Sequence, residues 1–265
     1  MPILLVAVLL GLVEGLTEFL PVSSTAHLAL AQRVLPSLGA HDASFRVAIQ
    51  VGAVAAVAWV QRDRFTALLR PAEPGRFGGT RGLVLLALIT APVLAVGFVL
   101  RHHVEALQEQ PLAIAGALAA GGLGLLALER WRGDRGTVTV DGLTTTAALG
   151  IGLFQCLSLW PGMSRSASTI AGAMLLGLTR RAATELSFLA AVPAIVAATG
   201  YAVVKDPSLV SGDGAELFAA GTVVAAVSGV IAVRAFTAFV ARSTMRPFAW
   251  YRLALAAVVA VLALA

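Results

Sequence analysis

The chain has 265 residues, of which 58% are hydrophobic and only 12% charged, with a mean hydropathy of +0.89. A soluble domain carries about 25% charged residues, so this composition excludes a water-soluble enzyme and describes a polytopic membrane protein. The net charge of +5 fits cytoplasmic loops and lipid headgroups, and no aromatic-interleaved basic stripe is present, so membrane lipids are expected partners and nucleic acid is not.

In chain order, the first apolar region covers 2–36. It is too long for one crossing and is interrupted near its middle at Pro21 and Ser23-Ser24-Thr25. No basic stretch precedes it, so a cleaved signal peptide is not expected. Runs of spanning length, about 20 residues each, follow near 43–60, 82–100 and 111–129. The region 141–178 repeats the pattern of the first, with Pro161-Gly162-Met163-Ser164-Arg165-Ser166 at its centre. Three more spans lie near 182–204, 215–240 and 247–265. The near absence of polar–apolar alternation argues against a β-barrel. The expected fold is an all-α membrane domain over 1–265, with six transmembrane helices and two re-entrant helix pairs. The lone Cys156 excludes an internal disulfide and reads as a small buried apolar residue.

Arginine sets the expected orientation. Arg62, Arg64, Arg70, Arg76 and Arg81 fall in the loop at 61–81, and Arg130, Arg132 and Arg135 in that at 130–140. Arg180 and Arg181 follow the second broken region, and Arg242 and Arg246 precede the last span. Placing these segments in the cytoplasm puts both termini outside and makes the two broken regions enter from opposite sides. Glu14 to Pro21 aligns with Gln155 to Pro161 after one gap, and Ser44-Phe45 with Ser187-Phe188. Residues of about 1–100 and 141–240 thus read as inverted repeats, which place a site at their interface near the bilayer midplane.

Charged groups at that depth need a functional reason. Glu14 and Glu18 are four residues apart and share a helix face. They repel, so one takes a proton unless a cation lies between them, and a hard ion such as Mg²⁺ or Ca²⁺ suits carboxylates plus phosphate oxygens. The alternatives are a solvated pair lining a water cavity or the ion site of a transporter. Ser23, Ser24 and Thr25 start a new helix after Pro21, where hydroxyls cap the backbone and an anion is favoured. His27 lies one turn on and could serve as general base or acid. Arg165, at the start of the second helix, offers a bidentate fork for phosphate, or else an internal salt bridge to Glu14 or Glu18. Gln155, in the place of Glu14, reads as a hydrogen-bonding strut. Gly52, Gly121, Gly122 and Gly124 are expected to allow close helix packing. Glu185 reads as a first-turn charge near the interface, and Arg234 as snorkelling or paired. His41, His102 and His103 fall in outer loops and receive no role.

The stretches Glu14-Gly-Leu-Thr-Glu18-Phe-Leu-Pro-Val-Ser-Ser-Thr-Ala-His27 and Leu159-Trp-Pro-Gly-Met-Ser-Arg-Ser-Ala-Ser-Thr169 resemble the two signatures of the bacterial undecaprenyl-diphosphate phosphatases of the bacitracin-resistance type. Phe45 to Gly52, Ser187 to Pro193 and Pro247 to Arg252 are similar too, and the resemblance covers essentially the whole chain. It implies hydrolysis of a C55 polyprenyl diphosphate to the monophosphate, a divalent metal, and a bacterial plasma-membrane location. It also implies a role in recycling the carrier lipid for peptidoglycan synthesis. Glu14, Glu18, Ser24, His27 and Arg165 stand at the family's functional positions, with Ser23, Ser164 and Thr169 as neighbours. Arg46 departs from the acidic residue usual there.

The expected mechanism has Arg165 and the hydroxyls of Ser23, Thr25, Ser164, Ser166 and Thr169 gripping the diphosphate. Glu14 and Glu18 hold the metal. The nucleophile is Ser24 or a nearby water, with His27 or Glu18 handling the proton. A secondary transporter or polyprenyl-phosphate flippase, and a non-catalytic lipid-binding or bacitracin-shielding protein, are the rival readings. A homodimer is the candidate assembly.

Overall fold

The computed structural model describes every residue except 40–41, 72, 74 and 265; His41 is therefore outside the described residues. In order the helices are α1 Ile3–Thr17, α2 Ser24–Val34, α3 Asp42–Ala48, α4 Gln50–Val60, α5 Arg62–Leu68, α6 Gly79–Gln108, α7 Pro111–Trp131, α8 Thr145–Gln155, α9 Arg165–Leu175, α10 Arg180–Lys205, α11 Gly212–Val240 and α12 Arg246–Leu264. A short 3-10 helix, Cys156–Leu159, continues α8. Six helical segments are long and apolar enough to cross a membrane: Asp42–Val60, Gly79–Gln108, Pro111–Trp131, Arg180–Lys205, Gly214–Val240 and Arg246–Leu264. They match the six expected spans. The chain is a multi-pass helical membrane protein.

Helices α1 and α8 have 15 and 11 residues. At 1.5 Å per residue they reach about 22 and 16 Å, short of the roughly 30 Å hydrocarbon core. Each is broken where the sequence places proline and serine.

Backbone approach fixes how these short helices sit. Helix α1 packs against α11, and α8 against α6. A Cβ at Gly11 would overlap the Gly221 carbonyl oxygen, and one at Gly15 the Ala225 carbonyl oxygen. Gly11/Gly15 and Gly221/Ala225 are both small residues four apart, the spacing that lets helix backbones meet closely. Gly152 of α8 lies against the carbonyls of Leu88 and Ile89 in the same way. Gly52 needs its missing side chain because of the Thr222 carbonyl, and Gly122 lies close to that of Ala249. Gly124 faces open space and has no packing role.

Two expected loops are partly helical. Within 61–81, α5 forms and buries Leu68 beside Gly82. Helix α6 runs past residue 100 to Gln108 because no glycine or proline stops it before Pro111. His102, His103 and Glu105 thus lie on that helix and not in a loop.

Apart from those at the serine turns, inter-helix polar contacts lie in two groups, at opposite ends of the bundle. At one end Arg64 meets Glu185 at 2.5 Å and Asp141 at 3.3 Å. There too Arg180 forks onto Glu129 at 2.9 and 3.0 Å, and Glu129 also accepts from the Met245 N–H at 2.7 Å. At the other end Lys205 pairs with Glu105 at 2.9 Å, and Arg33 donates to the Leu262 carbonyl at 2.5 Å. Arg234 is exposed on the outer face of α11.

Candidate active site

Both serine turns bend in the same unusual way. Ser23 has φ 72° and ψ 96°, and Ser164 has φ 71° and ψ 118°. Among the described residues these are the two non-glycine positions with positive φ. Such backbone costs about 1–3 kcal/mol and persists where surroundings impose it. The bend lets each serine cap the helix behind it. Ser23 Oγ accepts from the Ala26 N–H at 3.4 Å, and Ser164 Oγ from the Ala167 N–H at 3.2 Å. The starts of α2 and α9 are thereby brought to one cavity of about 230 Å³, lined by Glu18, Ser23, Ser24, Thr25, Ser164 and Arg165. An anion between them would meet the positive ends of both helices.

Glu18 joins the turns. Its Oε2 accepts from Ser24 Oγ at 2.5 Å, while Oε1 faces Arg165, 3.3 Å from Nη2 and 3.4 Å from Nε. Arg165 also donates to the Ser187 carbonyl at 3.0 Å and lies 5.4 Å from the Phe19 ring centroid. The anticipated salt bridge to Glu18 is therefore formed.

Glu14 is fully buried, and neither carboxylate oxygen meets a hydrogen-bond donor of the described residues. Its charged neighbours are Glu18 and, with opposite sign, Arg165. A buried carboxylate with no donor beside a second carboxylate is a donor set that fits a hard divalent ion. The described residues contain no cluster of three His, Cys, Asp or Glu, so such an ion would take further ligands from substrate and water.

The remaining expected site residues divide. Ser166 donates to the Phe19 carbonyl at 2.9 Å, and the single Thr169 hydroxyl hydrogen is shared between the Arg165 carbonyl at 2.9 Å and Gln155 Oε1 at 3.1 Å. Both are fully buried and brace the turns from behind the cavity. Gln155 is the strut expected of it. Among the described residues His27 makes no hydrogen bond to Ser24. Its Nδ1 lies 2.7 Å from the Ser23 carbonyl and its Nε2 2.6 Å from the Tyr251 hydroxyl. Arg46 lines a separate cavity beside Gln108 and Glu109.

Sequence reasoning missed four polar residues. Gln50 and Ser158 line the cavity, Tyr251 holds His27, and Arg252 is completely buried beneath both turns. Gln50, Tyr251 and Arg252 lie in the stretches Phe45 to Gly52 and Pro247 to Arg252, whose resemblance to the family is a signal for them, as is an arginine six residues into the last span; Ser158 has none.

The comparisons agree along the chain. Residues 7–258 match the family described as bacitracin resistance protein BacA. An undecaprenyl-diphosphatase of Oleidesulfovibrio alaskensis is 51% identical over 257 residues, 97% of each chain. One from Nitratidesulfovibrio vulgaris is 48% identical over 256 residues, again 97% of each. One from Sphingopyxis alaskensis is 43% identical over 250 residues, 93% of this chain and 92% of the relative. With a match that takes in both serine turns and the start of the last helix, the chain belongs to the bacitracin resistance protein BacA family.

Proposed function

We propose that this protein hydrolyses undecaprenyl diphosphate to undecaprenyl phosphate and inorganic phosphate. The observation that carries the reading is the Ser24–Glu18–Arg165 contact at the meeting of two helix starts. The substrate is that named for the relatives. The reaction recycles a carrier lipid for cell-wall synthesis, and the family's name fits bacitracin resistance.

The residues act as follows. Arg165 and the first-turn N–H groups of α2 and α9 hold the diphosphate. Its terminal phosphate competes with Glu18 for the guanidinium, for which a planar fork is suited. Glu18 Oε2 accepts the Ser24 proton, and Ser24 Oγ attacks the terminal phosphorus. The bond to the bridging oxygen breaks, and the polyprenyl monophosphate leaves with that oxygen. Water then attacks the phosphoserine phosphorus, the Ser24 Oγ–P bond breaks as Glu18 returns the proton it took to Ser24 Oγ, and inorganic phosphate leaves with the water's oxygen and its protons. Glu14 and Glu18 would hold a divalent cation, Mg²⁺ or Ca²⁺, which supplies charge neutralisation at the phosphate oxygens when bound. Leu159, Ala194, Ile195 and Ala198 give the cavity an apolar wall for the first prenyl units.

The architecture we infer is two inverted repeats, each contributing a re-entrant pair, α1–α2 and α8–α9. Supporting it are the matching backbone at Ser23 and Ser164, and the reciprocal packing of α1 on α11 and α8 on α6. Gly11 and Gly152, aligned positions, make equivalent backbone approaches. The contacts Arg64–Glu185 and Arg180–Glu129 join segments that the arginine distribution assigns to the cytoplasm, and Lys205–Glu105 joins outer ones. The setting is the bacterial plasma membrane, with both termini outside.

The test is phosphate release from a polyprenyl diphosphate by purified protein. Release that stops in chelator and returns with Mg²⁺ or Ca²⁺ is expected. Release undiminished in excess chelator would remove the metal, and lipid flux without release would favour the transporter.

A further inference from the structure

Arg252 is fully buried in α12, outside both repeats. Its guanidinium donates to three backbone carbonyls. Nη1 reaches Pro21 O at 3.3 Å, and Nη2 reaches Gly162 O at 3.1 Å and Ala117 O at 3.2 Å. Pro21 and Gly162 stand two residues before Ser23 and Ser164, so one side chain ties equivalent points of the two positive-φ turns. Its Nε has no partner among the described residues. The space it fills is kept open by Gly121, where a Cβ would overlap Nη2. Its described hydrogen-bond acceptors are neutral carbonyls, so its charge stands beneath the cavity without a bonded carboxylate. A full charge at this depth needs a functional reason, and plain cross-linking of two turns does not require one.

We propose that Arg252 is a positioning residue for the diphosphate: it fixes the separation of the two serine turns and holds a positive charge behind them. The proposal rests on the hydrolase reading above. A planar fork can serve acceptors on two turns at once, which a lysine ammonium on its flexible stem does not reproduce.

Two variants test it. Arg252→Lys keeps the charge and loses the fork. Gly121→Ala keeps the arginine and pushes its guanidinium from its seat, so it carries the test even if Arg252→Lys fails to fold. Each is purified in detergent, its melting temperature is compared with wild type, and two quantities are measured. One is KM and kcat for a polyprenyl diphosphate; the other is inhibition by inorganic pyrophosphate. Folded variants should show KM raised, and pyrophosphate inhibition weakened, by about tenfold or more, the scale typical of groups that orient others. Unchanged KM and unchanged pyrophosphate inhibition in folded protein would overturn the proposal, as would a loss of kcat alone that follows a falling melting temperature. Absence of turnover in wild type would instead strike the hydrolase reading, and pyrophosphate binding to the variants, followed directly, would still decide the role of Arg252.

Discussion

Ser24 donates its hydroxyl hydrogen to Glu18 across 2.5 Å, and the same carboxylate faces Arg165 at 3.3 Å through its other oxygen. One side chain thus links the proposed nucleophile in the first turn to the proposed phosphate fork in the second. Glu18→Gln keeps the shape and removes the proton acceptor. It should lower kcat by about 10²–10⁴-fold, the usual worth of a positioned base, with KM changed only a few-fold. Phosphate release at saturating substrate measures this, and a kcat near wild type would take the base role from Glu18.

Arg165 is held by both Glu18 and the Ser187 carbonyl. Arg165→Ala removes several charge-assisted bonds worth about 1.5–3 kcal/mol each, and activity should fall by at least roughly 10²-fold. Arg165→Lys keeps the charge without the fork and should retain part of it. Steady-state kinetics on both variants checks the order; equal activity in the two would show that the guanidinium plane is not used.

The trace of the chain is open to labelling. Arg76, Arg135 and Ser211 are exposed and lie on the segments between spans, which makes them suitable probes. In a Cys156→Ser background, Arg76→Cys and Arg135→Cys should react with an impermeant thiol reagent only from the cytoplasmic side, and Ser211→Cys only from outside. Reaction of Arg76→Cys and Ser211→Cys from one side would break the inverted-repeat reading.

Helix contact makes a prediction of its own. Gly11→Ala forces a methyl into the Gly221 carbonyl, whereas Gly124→Ala points into open space. The first should destabilise by about 1–3 kcal/mol. The second should be neutral or gain up to about 1 kcal/mol from helix propensity. Melting in detergent separates them, and similar losses at both sites would mean that the α1–α11 approach is not tight.

The spans were legible because each is a long apolar run ended by charge or proline, and hydropathy is a sum over many residues. The turns were legible because proline and serine inside such runs have few other uses. Glu14, Glu18, Ser24 and Arg165 stood out as polar groups at membrane depth, and the structure brings them together. Other features depend on which helix faces which. Ser166 and Thr169 turn away from the cavity toward Phe19 and Gln155, a consequence of helix rotation that spacing within one segment does not fix. His27 meets Tyr251, 224 positions away, and Arg252 reaches Pro21, 231 positions away. Contacts so distant in sequence leave no local pattern. Helix α6 outruns its apolar stretch because the charged residues near its C-terminus stop the hydropathy run but do not break a helix.

In the proposed reaction Ser24 attacks the terminal phosphorus. Turnover of a polyprenyl diphosphate carrying label in its terminal phosphate, quenched in acid during the first cycle, tests it most directly. Label is expected on the peptide containing Ser24, and for Ser24→Ala no label and no turnover while substrate binding is kept. Turnover by folded Ser24→Ala within about tenfold of wild type, the loss expected from one hydrogen bond of about 1.5 kcal/mol, would contradict it and make water the nucleophile.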